Sequence, residues 1–166
     1  MEVTLRPAVA EDAADLAAIQ AASWDAAFVE ILTPEILREY TDCARLEAMY
    51  RNVLASPEIR MTLELVDGVP HGLTAWSNSR DGEPQTAELI CIHSRPGNWG
   101  KGYGAALMRH ALLEMENAGY SYAALWVFAE NRRARRFYEA LGFVATGATQ
   151  ISFGCEELQY RKSLTK

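Results

Sequence analysis

The segment Arg95-Pro96-Gly97-Asn98-Trp99-Gly100-Lys101-Gly102-Tyr103-Gly104 constrains this chain more than any other. It is wedged between an apolar run, Leu89 to Ile92, and a helical pattern that starts near Ala105. Glycines at alternate positions after a strand free the backbone to curl, so that successive N–H groups point into one concavity. The helix that follows adds its positive end. Such a segment is an anion cradle, suited above all to phosphates.

The chain has 166 residues, 49% of them hydrophobic. One globular domain spanning 1–166 is expected, burying roughly 70% of the surface of its unfolded chain. A net charge of −6, with the acidic residues scattered, argues against nucleic acid as a partner and favours a cationic small molecule or peptide. Cys43, Cys91 and Cys155 are far apart and odd in number, which points to reduced thiols in a cytoplasm rather than a disulfide framework. Neither they nor His71, His93 and His110 have metal-ligand spacing. Met1 to Pro7 lacks the regions of a signal peptide, and no apolar run reaches about 18 residues, so no membrane association is expected.

Along the chain, Val3 to Arg6 reads as a strand, Glu11 to about Ser23 as a helix, and Pro34 as the first turn of a second helix. Leu46, Met49, Tyr50 and Val53 support a third helix. Arg60 to Val66 and Leu73 to Ser77 read as two strands turning at Asp67-Gly68, followed by a strand from Thr86 to His93. After the glycine loop, Leu107, Met108, Ala111, Leu112 and Met115 recur at helical spacing up to Gly119, a C-cap. Ala123 to Phe128 reads as a buried strand and Arg132 to Leu141 as a short helix closed by Gly142. One or two strands follow Phe143. The order implies an α/β fold, a mixed sheet flanked by helices.

Several readings compete for the loop. A Walker A loop needs Ser or Thr after Gly-Lys, and Gly102 stands there instead. A dinucleotide fingerprint is closer: Gly100, Gly102 and Ala105 fit its degenerate spacing and Glu130 follows the next strand. It needs further alternating strands and helices, for which too little chain remains. A tight turn that binds nothing would explain one or two of the glycines.

The loop and its flanks resemble the GNAT superfamily of N-acetyltransferases, which bind acetyl-CoA at a loop of the form Arg/Gln-x-x-Gly-x-Gly/Ala. The match lies at Trp99-Gly100-Lys101-Gly102-Tyr103-Gly104. Ala87-Glu88-Leu89 and Pro96 support it upstream, and Leu125-Trp126-Val127, Asn131, Ala134, Phe137-Tyr138 and Gly142-Phe143 support it downstream. At the start, Arg6-Pro7-Ala8, Glu11-Asp12, Trp24 and Phe28 also fit, so the resemblance covers most of the chain. It departs from the pattern at Trp99, where Arg or Gln is usual, and at Ser94, where a strand Val is usual.

The resemblance implies a mostly antiparallel sheet splayed at its fourth and fifth strands. It also implies acetyl transfer from acetyl-CoA to a primary amine by direct attack. Unpaired backbone groups of Ile92 and Ser94 would meet the pantetheine and acetyl oxygen. The amides from Gly100 to Ala105, Tyr103 and Gly104 among them, would hold the diphosphate, with Trp99 and Lys101 at the rim. Asn131 can cap the short helix and contact the cofactor. Among Arg132, Arg133, Arg135 and Arg136, Arg133 or Arg135 would approach the phosphates, the rest being solvated. Tyr138 is the candidate general acid, since a phenol is protonated at pH 7 and can donate to a leaving thiolate. Glu88 is the candidate base, the alternative being a surface carboxylate. Cys91 and His93 share a strand face, where a packed cysteine competes with a thiol nucleophile. Trp24, Phe28, Tyr40 and Trp76 are candidates for an acceptor pocket or for core. The competing functional class is a non-catalytic acyl-CoA sensor. The acceptor's identity and a homodimer stay open.

Overall fold

Asp67 and Gly68 take left-handed backbone angles, φ 52° and 79°, the combination that lets a two-residue turn follow the twist of its strands. They close the hairpin of β2 (Arg60–Val66) and β3 (Val69–Asn78). The computed structural model describes residues 1–164. Around this hairpin it places β1 (Val3–Pro7), β4 (Thr86–Ser94), β5 (Tyr122–Phe128), β6 (Val144–Ser152) and β7 (Cys155–Ser163). The seven strands form one sheet in the order β1-β2-β3-β4-β5-β7-β6. Among the described residues every neighbouring pair is antiparallel except β4 with β5. That single parallel pair is incompatible with the repeated βαβ units of a dinucleotide-binding fold.

Helices α1 (Ala13–Ala27), α2 (Pro34–Glu39) and α3 (Cys43–Ala55) precede the β2–β3 hairpin. A single 3-10 turn, Ala10–Asp12, leads into α1. The helix runs on to Ala27, past the expected end at Ser23, because its many alanines are good helix formers and give no polar signal to stop. Thr33 starts α2 by accepting from the Ile36 N–H at 3.3 Å, and Asp42 starts α3 by accepting from the Arg45 N–H at 3.0 Å; each cap is worth about 1 kcal/mol. Helix α4 (Tyr103–Asn117) follows β4, and α5 (Arg132–Ala140) follows β5.

The apolar residues divide between the two faces of the sheet. Leu16, Ile19, Leu46 and Tyr50 of α1 and α3 pack on Met61, Leu63, Leu73 and Ala75. On the other face Met108, Ala111 and Met115 of α4, with Tyr138 of α5, cover Trp76, Leu89, Leu125 and Val127. Each fully buried Leu or Met contributes about 1.5–3 kcal/mol, enough to hold both helix layers against the sheet.

Two irregularities in β4 open the molecule. Ala75 pairs with Cys91 while Trp76 pairs with Leu89, so Ile90 is an extra residue, a β-bulge of the kind that bends a strand. Leu89 and Ile92 consequently pack on the α4 side, Ile90 and Cys91 on the α1 side. In addition, β4 pairs with β5 only at Thr86–Tyr122, Ala87–Ala123 and Glu88–Ala124. Beyond Glu88 the strands part, the splay expected from the sequence. No helix among the described residues is long and apolar enough to cross a membrane.

Candidate active site

The parting of β4 from β5 leaves a cleft of about 590 Å³ whose walls include Glu88, Cys91, His93, Asn131 and Tyr138. It is flanked by two further cavities. One, of about 250 Å³, reaches the glycine loop and shares Ile92, Arg133 and Ala134 with the cleft. The other, of about 880 Å³, lies across β4 and shares Trp24, Arg80, Ile90, Cys91, His93 and Phe153.

In the loop, Gly100 and Gly102 adopt φ 81° and 87°, angles that side chains disfavour. Gly102 is the N-cap of α4 and no side chain caps that end. The first-turn amides of Tyr103, Gly104 and Ala105 thus have no helical acceptor and, with the positive end of the helix dipole, could hold an anion. A Cβ placed on Gly102 would meet no atom within 4 Å. Gly104 is glycine for another reason: its Cβ would press on the Phe137 ring at 3.4 Å, so its absence lets α4 and α5 approach. The Tyr103 side chain turns away from the loop, edge-on to His71 at 5.1 Å, with its hydroxyl donating to Met1 Sδ at 3.3 Å. Ala105 lines the loop cavity, and Lys101 is exposed.

The two departures from the family pattern meet each other. Trp99 Nε1 donates to the Ser94 carbonyl at 3.2 Å and contacts Ser94 Oγ at 3.0 Å. The Arg133 guanidinium lies over the Trp99 ring at 3.4 Å, a cation–π contact worth about 0.5–2 kcal/mol. Positive charge is therefore held beside the loop from α5. The other arginines of α5 do not join it: Arg135 donates to Tyr160 Oη and the Ala129 carbonyl, and Arg132 and Arg136 are exposed.

Inside the cleft Tyr138 is buried against Phe137 and Phe143. Its hydroxyl has no hydrogen-bond partner among the described residues, and burial pushes its ionisation well above the ordinary phenol range. Asn131 caps α5 by accepting from the Ala134 N–H at 3.2 Å while lining the cleft. Glu88 is only 4% exposed and fully engaged by Arg80. It accepts the Arg80 backbone N–H at 2.9 Å on one oxygen, and Nε at 3.0 Å and Nη2 at 2.5 Å on the other. Burial raises the Cys91 thiol to about 12, which makes it a packed side chain and a poor nucleophile. The half-buried His93 is held neutral, its pKa lowered to about 4 by burial. Among the described residues no group of three or more His, Cys, Asp or Glu side chains is placed to hold a metal ion.

Of the four candidate pocket aromatics, Trp24 and Phe28 line the cleft and Trp24 and Tyr40 line the cavity across β4. Trp76 is core, 2% exposed, with Nε1 donating to Glu114 at 3.4 Å. Arg80, Trp126, Phe128 and Phe153 are cleft residues that the sequence did not single out as site residues. For Phe153 the one available signal was the Phe-Gly pair at a hairpin tip.

Comparison with known proteins accords with this geometry. Residues 25–143 match the model of the acetyltransferase (GNAT) family. An uncharacterised N-acetyltransferase of Mycobacterium tuberculosis is 28% identical over 143 residues, 86% of this chain and 90% of that protein. The mycothiol acetyltransferase of Streptomyces scabiei is 38% identical over 81 residues, 49% of this chain but 26% of that longer protein. Among solved structures, the PaiA N-acetyltransferase of Thermoplasma acidophilum, in complex with coenzyme A, superposes with a TM-score of 0.79 at 20% identity. The match covers 98% of this chain and 99% of that one. An acetyltransferase of Salmonella typhimurium with acetyl-CoA gives 0.74 at 22% identity, covering 100% and 96%. The strand order, the splay after Glu88, the uncapped helix behind the glycine loop and the family match together place this chain in the acetyltransferase (GNAT) family.

Proposed function

We propose that this chain transfers an acetyl group from acetyl-CoA to a primary amine by direct attack, in the cleft between β4 and β5. The observation that carries this reading is Tyr138: a protonated, unpartnered hydroxyl in a cleft joined to an anion cradle at a helix N-terminus. Acetyl-CoA would supply the activated acyl group, and the solved relatives that hold coenzyme A or acetyl-CoA support that donor. The amides from Gly100 to Ala105 suit its diphosphate, and Arg133 on Trp99 adds a positioned cation. The unpaired edge of β4 around Ile92 offers backbone groups to the pantetheine and the acetyl oxygen. Ser94 has its carbonyl bonded to Trp99 already, so Ile92 carries more of that role.

Tyr138 donates its proton to the departing thiolate. The amine's proton needs a base, and Glu88 is poorly suited to it, since both of its oxygens already accept hydrogen bonds from Arg80. His93 lines both the cleft and the cavity across β4, and burial keeps it neutral, so its lone pair is available although burial also weakens it as a base. We assign it the proton, with Glu88 and Arg80 shaping the cleft wall. The test is release of free thiol from acetyl-CoA with and without amines, with the protein's mass measured after acetyl-CoA alone. Amine-dependent thiol release with no acetylated protein supports direct attack. An acetyl adduct on Cys91 refutes it, and acetyl-CoA binding without any amine-dependent release leaves a binding module.

A further inference from the structure

The β6–β7 hairpin turns at Phe153-Gly154, with φ 53° and 76°. Such a turn favours asparagine or glycine at its first position, and a bulky residue held there is strained. Strain that persists in a fold marks a constraint worth explaining. Here it directs an aromatic ring over a cavity. Phe153 stands edge-on to Tyr40 at 4.9 Å and to Trp24 at 6.1 Å, while Trp24 and Tyr40 are stacked at 5.5 Å. These three rings line the cavity of about 880 Å³, with Met49, Tyr50 and Ile59.

Gln20, Ser77, Asn78 and Ser79 give the cavity a polar but uncharged side, and its charged groups are few. The Trp24 indole N–H is buried without a hydrogen-bond partner among the described residues. Glu58 and Arg80 are the charged lining residues among those described, and Arg80 is neutralised by Glu88. A polyamine or aminoglycoside needs several carboxylates, and among the described residues the cavity offers only the exposed Glu58. Cavity and cleft share His93 and Cys91 on β4, which gives an amine held in the one a path to the other.

We propose that this cavity is the acceptor site and that the acceptor is an arylalkyl monoamine, its ring gripped by Trp24, Tyr40 and Phe153 and its amino group directed at His93. The assignment rests on the acetyl-transfer reading above. In the reaction the amine nitrogen bonds to the acetyl carbon as the carbon–sulfur bond breaks. The amine loses a proton to His93 and the sulfur gains one from Tyr138, so an amide and a free thiol result.

The probes are 2-phenylethylamine and spermidine, with thiol release as the assay. The expected kcat/KM is at least about tenfold higher for 2-phenylethylamine. Phe153→Asn suits the turn better than phenylalanine, so it should leave Tm unchanged or raised. It should raise the KM for 2-phenylethylamine at least about tenfold with kcat within about threefold. Phe153→Trp should keep the wild-type KM. Spermidine turned over as well or better, or an unchanged KM in Phe153→Asn, overturns the proposal. A lower Tm in that variant makes the ring mere packing and also overturns it. Acetyl-CoA binding by calorimetry with no 2-phenylethylamine turnover refutes the acceptor class alone, whereas no acetyl-CoA binding refutes the reading beneath it.

Discussion

Replacing Gly102 with valine perturbs the anion cradle at a point where the surrounding packing is open. The added Cβ meets no protein atom within 4 Å, so the fold has room for it. The backbone does not welcome it: at φ 87° a side chain costs about 1–2 kcal/mol. The free loop can relax out of that angle, but a loop closed on a diphosphate cannot, so the strain appears in binding. Loss of one backbone hydrogen bond to a charged group adds about 1.5–3 kcal/mol. Together these come to about 2.5–5 kcal/mol, and since 1.4 kcal/mol is tenfold, the Kd for acetyl-CoA should rise between about sixtyfold and four-thousandfold. Calorimetric titration measures it. Gly68→Val is the control, because Gly68 has φ 79° and an equally open Cβ but lies in the β2–β3 turn; it should leave acetyl-CoA binding untouched. Unchanged affinity in folded Gly102→Val would remove the cradle from this loop.

If His93 is the base, His93→Gln should lower kcat/KM far more at pH 7 than at pH 9, where more free amine is present. Glu88→Gln, which only disturbs Arg80, should lower it by the same factor at both; a pH-selective loss in Glu88→Gln instead would return the role to that carboxylate. Glu64 is fully buried, 3.8 Å from His71 Nε2, with neither oxygen hydrogen-bonded, and burial raises its pKa from 4.5 to about 7. The folded state thus holds this proton more tightly than the unfolded one, so its contribution is present at low pH and is lost as pH rises from 4.5 through about 7, by up to about 3 kcal/mol. Urea denaturation at pH 5 and pH 8 should show a loss in the wild type that Glu64→Gln lacks; equal losses would refute the assignment.

The shape of the glycine loop was legible because glycine at a left-handed angle leaves its mark directly in sequence, and Gly100 and Gly102 bear it. Gly104 carried the same letter for a packing reason that only the approach of Phe137 reveals. Tyr138 and Asn131 stood out only through the resemblance of Asn131, Ala134, Phe137-Tyr138 and Gly142-Phe143 to the family pattern; the helix alone reads Tyr138 as core. What stayed hidden depends on contacts between segments. Arg80 neutralises Glu88 across the loop joining β3 to β4. The bulge at Ile90 is set by pairing with Ala75 and Trp76. Trp99 and Ser94, read separately as two departures, proved to be one hydrogen-bonded pair with Arg133 stacked above. Phe153 was missed as a site residue because its Phe-Gly pair marks a hairpin tip but not what the tip reaches, and the rings it meets, Trp24 and Tyr40, are far away in sequence.

In the proposed acetyl transfer, Tyr138 is the proton donor of the cleft between β4 and β5. Tyr138→Phe removes one hydroxyl that makes no hydrogen bond among the described residues, so Tm and the Kd for acetyl-CoA should be unchanged. General-acid catalysis contributes about 10²–10⁴-fold, and the whole of that loss should fall on kcat for thiol release in the presence of a saturating amine. A folded Tyr138→Phe protein that turns over at the wild-type rate would contradict the account.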